Sequence, residues 1–340
     1  MRRRWLGQRW RSLGEFSITP SIRYSHPLRA GSMIVVLTGG TGGAKLIEGL
    51  AAESDPAELT IICNTGDDGI FHGLYISPDI DTIIYTLAGL IDHDKGWGIQ
   101  GDTFIALAQL RRLGDDAWFN IGDKDLATHI TRTRLLGEGR TLCEITDHLR
   151  RAHGVRSTIL PMSNERIETR VTTGAGEISF QEFFVKHRWS VDALAVRFAG
   201  AERSRPAPRV LNAIHDAKAI IVCPSNPITS LGPILAVPGI RTALRETNAA
   251  VIGVSPIIGD SAITGPAHKL MIASVFEASA FGVARCYGDF LDTLFIADDD
   301  RAARESIEKL NIAVVPTDIR MPILAAKRRL ARELLDSIGK

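Results

Sequence analysis

The chain has 340 residues, 45% of them hydrophobic and 23% charged, with a formal net charge of +1. That length buries a substantial core in one large or two modest domains without disulfide support, and the near-neutral charge gives no general reason to expect a nucleic-acid partner. Four cysteines, Cys63, Cys143, Cys223 and Cys286, occur without a CxxC pair; this suits reduced thiols in a cytoplasmic protein better than a zinc site, and no segment has the length and lack of charge of a membrane helix.

Along the chain, residues 1–32 form a basic extension in which Arg2, Arg3, Arg4, Arg9, Arg11, Arg23 and Arg29 face the single acid Glu15. It reads as a disordered arm, a targeting remnant or translation from a start upstream of Met33. Apolar runs predict strands at 33–38, 59–64, 117–121, 219–223, 250–255, 293–297 and 312–315, and helical patterns fall at 44–52, 81–90, 103–113, 240–246, 267–276 and 322–338. Val, Ile and Leu fill the strands almost continuously, which predicts an α/β fold with a mostly parallel sheet covered by helices. Spacing changes between 126 and 208, where charged helical stretches accompany an isolated extended pair near 157–161 and 168–173. The expected organisation is a first part of the core at 33–125, a partly helical insertion or lid at 126–208, and the second part of the core with C-terminal helices at 209–340.

The densest signal is Gly39-Gly40-Thr41-Gly42-Gly43, directly after the first strand and opening a helix. Backbone N–H groups free of side chains, together with the positive end of a helix dipole, surround phosphate oxygens; close strand–helix packing is the other use of such glycines. Ala44-Lys45-Leu46 lacks the glycine and hydroxyl of a P-loop, and a dinucleotide fingerprint starting at Gly40 would need its third glycine where Lys45 stands. A second group, Asn64-Thr65-Gly66-Asp67-Asp68, follows the second strand, and Ser77-Pro78-Asp79-Ile80-Asp81-Thr82 comes soon after. Asp79 and Asp81, one residue apart in an extended or turn segment, can both face a hard cation such as Mg2+, or Asp81 can cap a helix beginning at Thr82. In Asn120-Ile121-Gly122-Asp123-Lys124-Asp125, Lys124 can neutralise phosphate, while Asp123 and Asp125 can hold a ribose, position the lysine or contribute to metal binding, or the stretch is a solvated connection. His129 is expected to turn inward or anchor its helix. Ser225, Asn226 and Pro227 follow the fourth expected strand and offer a rigid turn or a nucleoside contact. Ser255 to Asp260 is a further loop that can bound the same crevice, and Trp97, between two glycines, can cover a flat ring or pack a core edge.

Taken in order, Gly39 to Gly42, Asn64 to Asp68, Ser77 to Thr82, Gly96-Trp97-Gly98, Gly122 to Thr128 and Pro224 to Pro227 resemble the CofD family, the 2-phospho-L-lactate transferases of coenzyme F420 biosynthesis. The resemblance spans most of residues 33–320. It implies a Rossmann-like α/β fold with an additional, partly helical region, and a homodimeric, magnesium-dependent transferase joining the deazaflavin alcohol FO to a phospholactyl or phosphoenolpyruvyl group. That group is carried on a guanosine diphosphate-linked donor, and GMP leaves. It places FO or metal-proximal contacts at Asp81 and Lys124; the lysine, standing where many relatives use arginine, keeps the charge and loses the bidentate fork. From the residues themselves, the expected substrate site includes Gly40, Thr41, Gly42, Gly43, Asn64, Asp67, Asp68, Trp97, Asp123, Lys124, Ser225, Asn226 and Pro227, with Asp79 and Asp81 on the metal. A nucleotide-binding regulatory protein of the related gluconeogenesis-factor family is the alternative.

Overall fold

A computed structural model describes residues 32–259, 261–262 and 265–338. The basic extension, all but its last residue, and Asp260 of the 255–260 loop lie outside the described residues. Seven strands form one sheet: β1 (Ile34–Thr38), β2 (Leu59–Cys63), β3 (Thr158–Pro161), β4 (Ala219–Val222), β5 (Ala250–Val254), β6 (Thr293–Ala297) and β7 (Ala313–Thr317). Their order is β7-β6-β5-β4-β1-β2-β3, and every neighbouring pair is parallel. The strands are apolar on both faces because both faces are covered. Val35, Leu37, Ile220 and Val222 belong to one core cluster, Val36, Ile61, Ile221 and Cys223 to the other.

From β1 the chain winds outward through β2 to β3, then returns to lay β4 on the other side of β1. The strand order therefore reverses between β1 and β4, and a crevice opens beyond their C-terminal ends, the usual ligand position in open α/β sheets. Helix α1 (Thr41–Glu53) leaves this crevice and packs on the C-terminal helix Leu324–Ser337. Lys327 Nζ reaches Glu48 at 2.6 Å there, and a Cβ on Gly49 would lie 2.3 Å from the Lys327 carbonyl oxygen. The two helices touch through backbone, which only glycine allows.

Three expectations change. No strand forms at 117–121: Trp118 and Phe119 pack on Phe71, with Phe119 stacked at 3.9 Å and Trp118 edge-on at 5.5 Å, so the run builds an aromatic cluster in place of a ladder. The segments near 157–161 and 168–173 do not pair with each other. β3 joins the edge of the main sheet beside β2, whereas Glu168–Thr173 is the middle strand of a separate antiparallel sheet. Finally, helix α2 (Pro78–Leu87) begins before Thr82, with Pro78 in its first turn, so Asp79 and Asp81 are both helical. Proline's fixed φ favours that first position.

Candidate active site

At the end of β1 the chain turns at Gly39 and Gly40 into the N-terminus of α1. A Cβ on Gly40 would come 2.5 Å from Asp79 Oδ1, and one on Gly39 would come 2.4 Å from Ser230 Oγ. Gly43, one turn into α1, leaves no room for a Cβ, which would lie 1.7 Å from Thr38 Oγ1. All three glycines thus meet a packing requirement, and Gly40, with Thr41, also borders open space. The turn is tied to the loop after β4 by a hydrogen bond from Gly39 N to Ser225 Oγ at 3.2 Å. Asn226 Oδ1 accepts from Ile228 N and Thr229 N at 3.0 and 3.3 Å and so holds the Pro227 turn.

Beneath the turn lies a dry acidic group. Asn64 Nδ2 donates to Asp79 Oδ2 at 2.9 Å and to Asp67 Oδ2 at 3.2 Å, while Ser77 Oγ donates to Asp68 Oδ2 at 2.7 Å. Asp67 Oδ1 and Asp68 Oδ1 are buried without a hydrogen-bond partner. Burial raises the Asp67 carboxyl well above the ordinary carboxylate range, and repulsion from Asp79 and Asp68 adds to it. Burial likewise raises Asp68, against the Ser77 hydrogen bond and the charge of Arg132, and pushes Asp79 up to about 6 against the Asn64 hydrogen bond. Asp67 and Asp79, joined through the one Asn64 amide, offer the carboxylate oxygens a hard divalent cation takes, and among the described residues no third carboxylate or imidazole completes a three-ligand group with them.

Asp81 sits in different surroundings. The fully buried Arg132, on α4 (Asp125–Gly137), grips both its oxygens, one through Nη2 and the other through Nη1 at 3.0 Å. His129, from the same helix, lies with Nε2 3.1 Å from Asp125 Oδ2 and Nδ1 3.7 Å from Asp81 Oδ2. Tyr85 Oη contacts Asp125 Oδ1 at 2.5 Å and Thr128 Oγ1 at 2.8 Å. Burial opposes ionisation of Asp125, but His129 and Tyr85 hold it below its ordinary range. Asp81, Asp125 and His129 offer ligand atoms within 4.8 Å of one another, yet Arg132 already supplies positive charge to this group. It is an ion-paired group anchored on Arg132, and His129 is turned inward as expected.

Both acid groups face one cavity of about 420 Å³. Gly40, Thr41, Asp67, Asp79 and Asp81 form its polar side, and Trp97, Trp118, Phe119, Phe180 and Phe184 supply aromatic surface. Trp97 remains 37% exposed, so a face is available. Gly42 lies half-buried in the first turn of α1. Nine predicted residues, Gly42, Gly43, Asn64, Asp68, Asp123, Lys124, Ser225, Asn226 and Pro227, do not line this wall. Asp123 accepts from Thr103 Oγ1 at 2.5 Å and from the Ile105 and Ala106 amides at 2.9 Å, starting helix α3 (Ile105–Arg112). Lys124 Nζ donates to the Gln100 carbonyl at 3.0 Å and steadies the loop that carries Trp97. Conversely, Tyr85, Arg132, Phe180, Phe184 and Arg188 went unnoticed in the sequence. The α4 signal was a spacing: His129 and Arg132 stand four and seven residues after Asp125, on one helical face.

The family model for 2-phospho-L-lactate transferase CofD matches residues 34–329. The chain belongs to the CofD family. The match takes in all seven strands, the glycine turn and both acid groups, so this CofD chain is an enzyme of the transferase class. It is 45% identical to the 2-phospho-L-lactate transferase of Methanothermobacter thermautotrophicus, over 90% of this chain and 98% of the relative. It is 44% identical to the phosphoenolpyruvate transferase of Streptomyces griseus subsp. griseus, over 89% and 97%. Among solved structures, a UPF0052-family protein from Bacillus halodurans superposes with a TM-score of 0.62 over 89% of this chain and 98% of that one; at 16% identity the likeness is one of fold. No helix among the described residues is long and apolar enough to cross a membrane.

Proposed function

We propose that this CofD protein transfers a phospholactyl or phosphoenolpyruvyl group from a guanosine diphosphate-linked donor to the terminal hydroxyl of FO, releasing GMP and forming coenzyme F420-0 or its dehydro form. The observation that carries the reading is a single cavity in which a glycine turn at a helix N-terminus, buried carboxylates and aromatic walls meet, in a chain matched by the CofD model from 34 to 329. The relatives' names supply the two donor groups.

In this reading the diphosphate lies on the Gly39–Gly40 turn, where amides and the α1 dipole favour negative charge. Asp67 and Asp79 would hold Mg2+, which supplies charge neutralisation at the phosphoryl oxygens. Asp81 was the other expected ligand. Held by Arg132, it suits orientation of the acceptor better than coordination. The FO hydroxyl oxygen bonds to the phosphorus bearing the three-carbon acid, the bond from that phosphorus to the GMP oxygen breaks, and the hydroxyl proton is released. Positioning and electrostatic preorganisation carry such a step, with no covalent protein intermediate. Trp97 would lie against the deazaflavin, supported by the loop that Lys124 steadies. A homodimer and a cytoplasmic setting complete the proposal.

The test is mass spectrometry of purified protein with FO, Mg2+ and, in parallel, the lactyl and enolpyruvyl guanosine diphosphate-linked donors. Expected is F420-0 or dehydro-F420-0 with stoichiometric GMP. No product from either donor, with folded protein that still binds nucleotide and retains no FO absorbance once unbound FO is removed, would favour a regulatory nucleotide binder instead.

A further inference from the structure

The cavity is lined by four aspartates, Asp67, Asp79, Asp81 and Asp125, and by a single arginine or lysine, Arg188. Among the described residues no carboxylate pairs with Arg188, although its neighbour Lys186 meets Asp116 at 3.0 Å and Lys269 lies 3.7 Å from Asp192 nearby. An unpaired guanidinium beside an acidic cavity is either solvated by chance or held there for an anion. The backbone distinguishes the two. Arg188 and Trp189 are both in the left-handed region, with φ of 48° and 44°, separated by His187 alone from the π-helical turn Glu182–Lys186. Two successive non-glycine residues there are strained and persist only where surrounding contacts impose them.

Those contacts are present. Trp189 N donates to the Phe183 carbonyl at 2.9 Å and His187 N to the Glu182 carbonyl at 2.8 Å, while Lys269 Nζ donates to the Trp189 carbonyl at 3.0 Å. The Trp189 ring stacks on Phe184 at 5.1 Å, and Phe184 on Phe180 at 5.5 Å. Phe180 and Phe184 are themselves part of the cavity wall. Strain, ring stack and amide bonds thus cooperate to place one cation at the rim.

We infer that Arg188 is the anion-recognition residue of this cavity and takes the carboxylate of the donor's three-carbon acid. The inference rests on the transferase reading above. The diphosphate already has the glycine turn, so the carboxylate is the remaining anionic group of the donor. A planar guanidinium matches it through two parallel hydrogen bonds. Lactyl and enolpyruvyl groups both carry that carboxylate, so Arg188 would serve either donor and reject guanosine diphosphates that lack it.

The test compares Arg188→Gln, Arg188→Gly and Arg188→Lys with the wild type, using the donor that the wild type turns over and, separately, GDP as a ligand without the carboxylate. Loss of a charge-assisted bidentate contact predicts a roughly ten- to hundredfold rise in donor KM for the Gln and Gly variants, with GDP and FO affinities unchanged. Lysine should recover part of the loss. Glycine accepts the left-handed backbone, so Arg188→Gly should keep or raise the wild-type Tm while losing donor affinity, which a structural role for the arginine would not produce. A parallel loss of GDP affinity would assign Arg188 to phosphate, and unchanged donor KM in Arg188→Gly would remove it from the site; either overturns the inference. Absence of turnover by the wild type itself would instead count against the transferase reading.

Discussion

At the scale of single residues, the difference between Asp79 and Asp81 matters most. They are two positions apart on α2 and look equivalent in the sequence, but one faces Asn64 and other acids while the other is gripped by Arg132. The consequence is testable through pH. A carboxyl whose folded pKa is raised favours the folded state while it is protonated. As pH rises above the ordinary value the unfolded chain releases its proton first, and the folded state loses stability until the raised pKa is passed. With Asp79 pushed up to about 6 and Asp67 also raised, EDTA-treated wild type should lose Tm relative to Asp79→Asn between about pH 4 and about pH 7. Mg2+ should restore the wild type and leave the variant little changed. Thermal melts across that range, with and without Mg2+, decide it. A wild type that gains on the variant as pH rises, or ignores Mg2+, would exclude Asp79 from a cation site.

Among the elements, the strand–turn–helix at residues 34–53 is where sequence reading was most complete, since an apolar run, consecutive glycines and a helical pattern are local signals. What it left open was which glycine does what. Gly43 packs against Thr38 and Ser225, the latter arriving from β4 almost two hundred residues away. Gly43→Ala should therefore lower stability by about 1–3 kcal/mol through overpacking, read as a shift in the urea midpoint with unchanged slope; a neutral result would show that α1 can move off β1 at little cost. The run at 117–121 failed as a strand for the complementary reason. Its apolar character serves an aromatic cluster with Phe71, and nothing local distinguishes that use from a ladder.

For the whole molecule, the parallel order β7-β6-β5-β4-β1-β2-β3 brings together at one crevice loops from the first and second parts of the chain. The C-terminal helix supports this from behind. Leu330, Ala331 and Leu334 are fully buried, and Lys327 bonds Glu48 of α1. Removing residues 324–338 would forfeit about 1.5–3 kcal/mol for each buried leucine and loosen α1, whose N-terminus is the proposed phosphate site. The expected outcome is a protein with a markedly lower Tm and weakened GDP binding. Retention of both would show that the helix is dispensable to the site.

By itself the sequence determined the α/β class, the glycine turn, the two acidic motifs and the family, because each is written in local spacing or in the order of short motifs. Tertiary structure alone decided that Asp81 is neutralised by Arg132 from a helix fifty-one residues on, that Asp123 caps a helix, and that Phe180, Phe184 and Arg188 complete the cavity. The physical reason is common to all three. Whether a charged side chain serves a ligand, a cap or a buried partner depends on which distant group reaches it first, and that competition is settled only when the chain has folded.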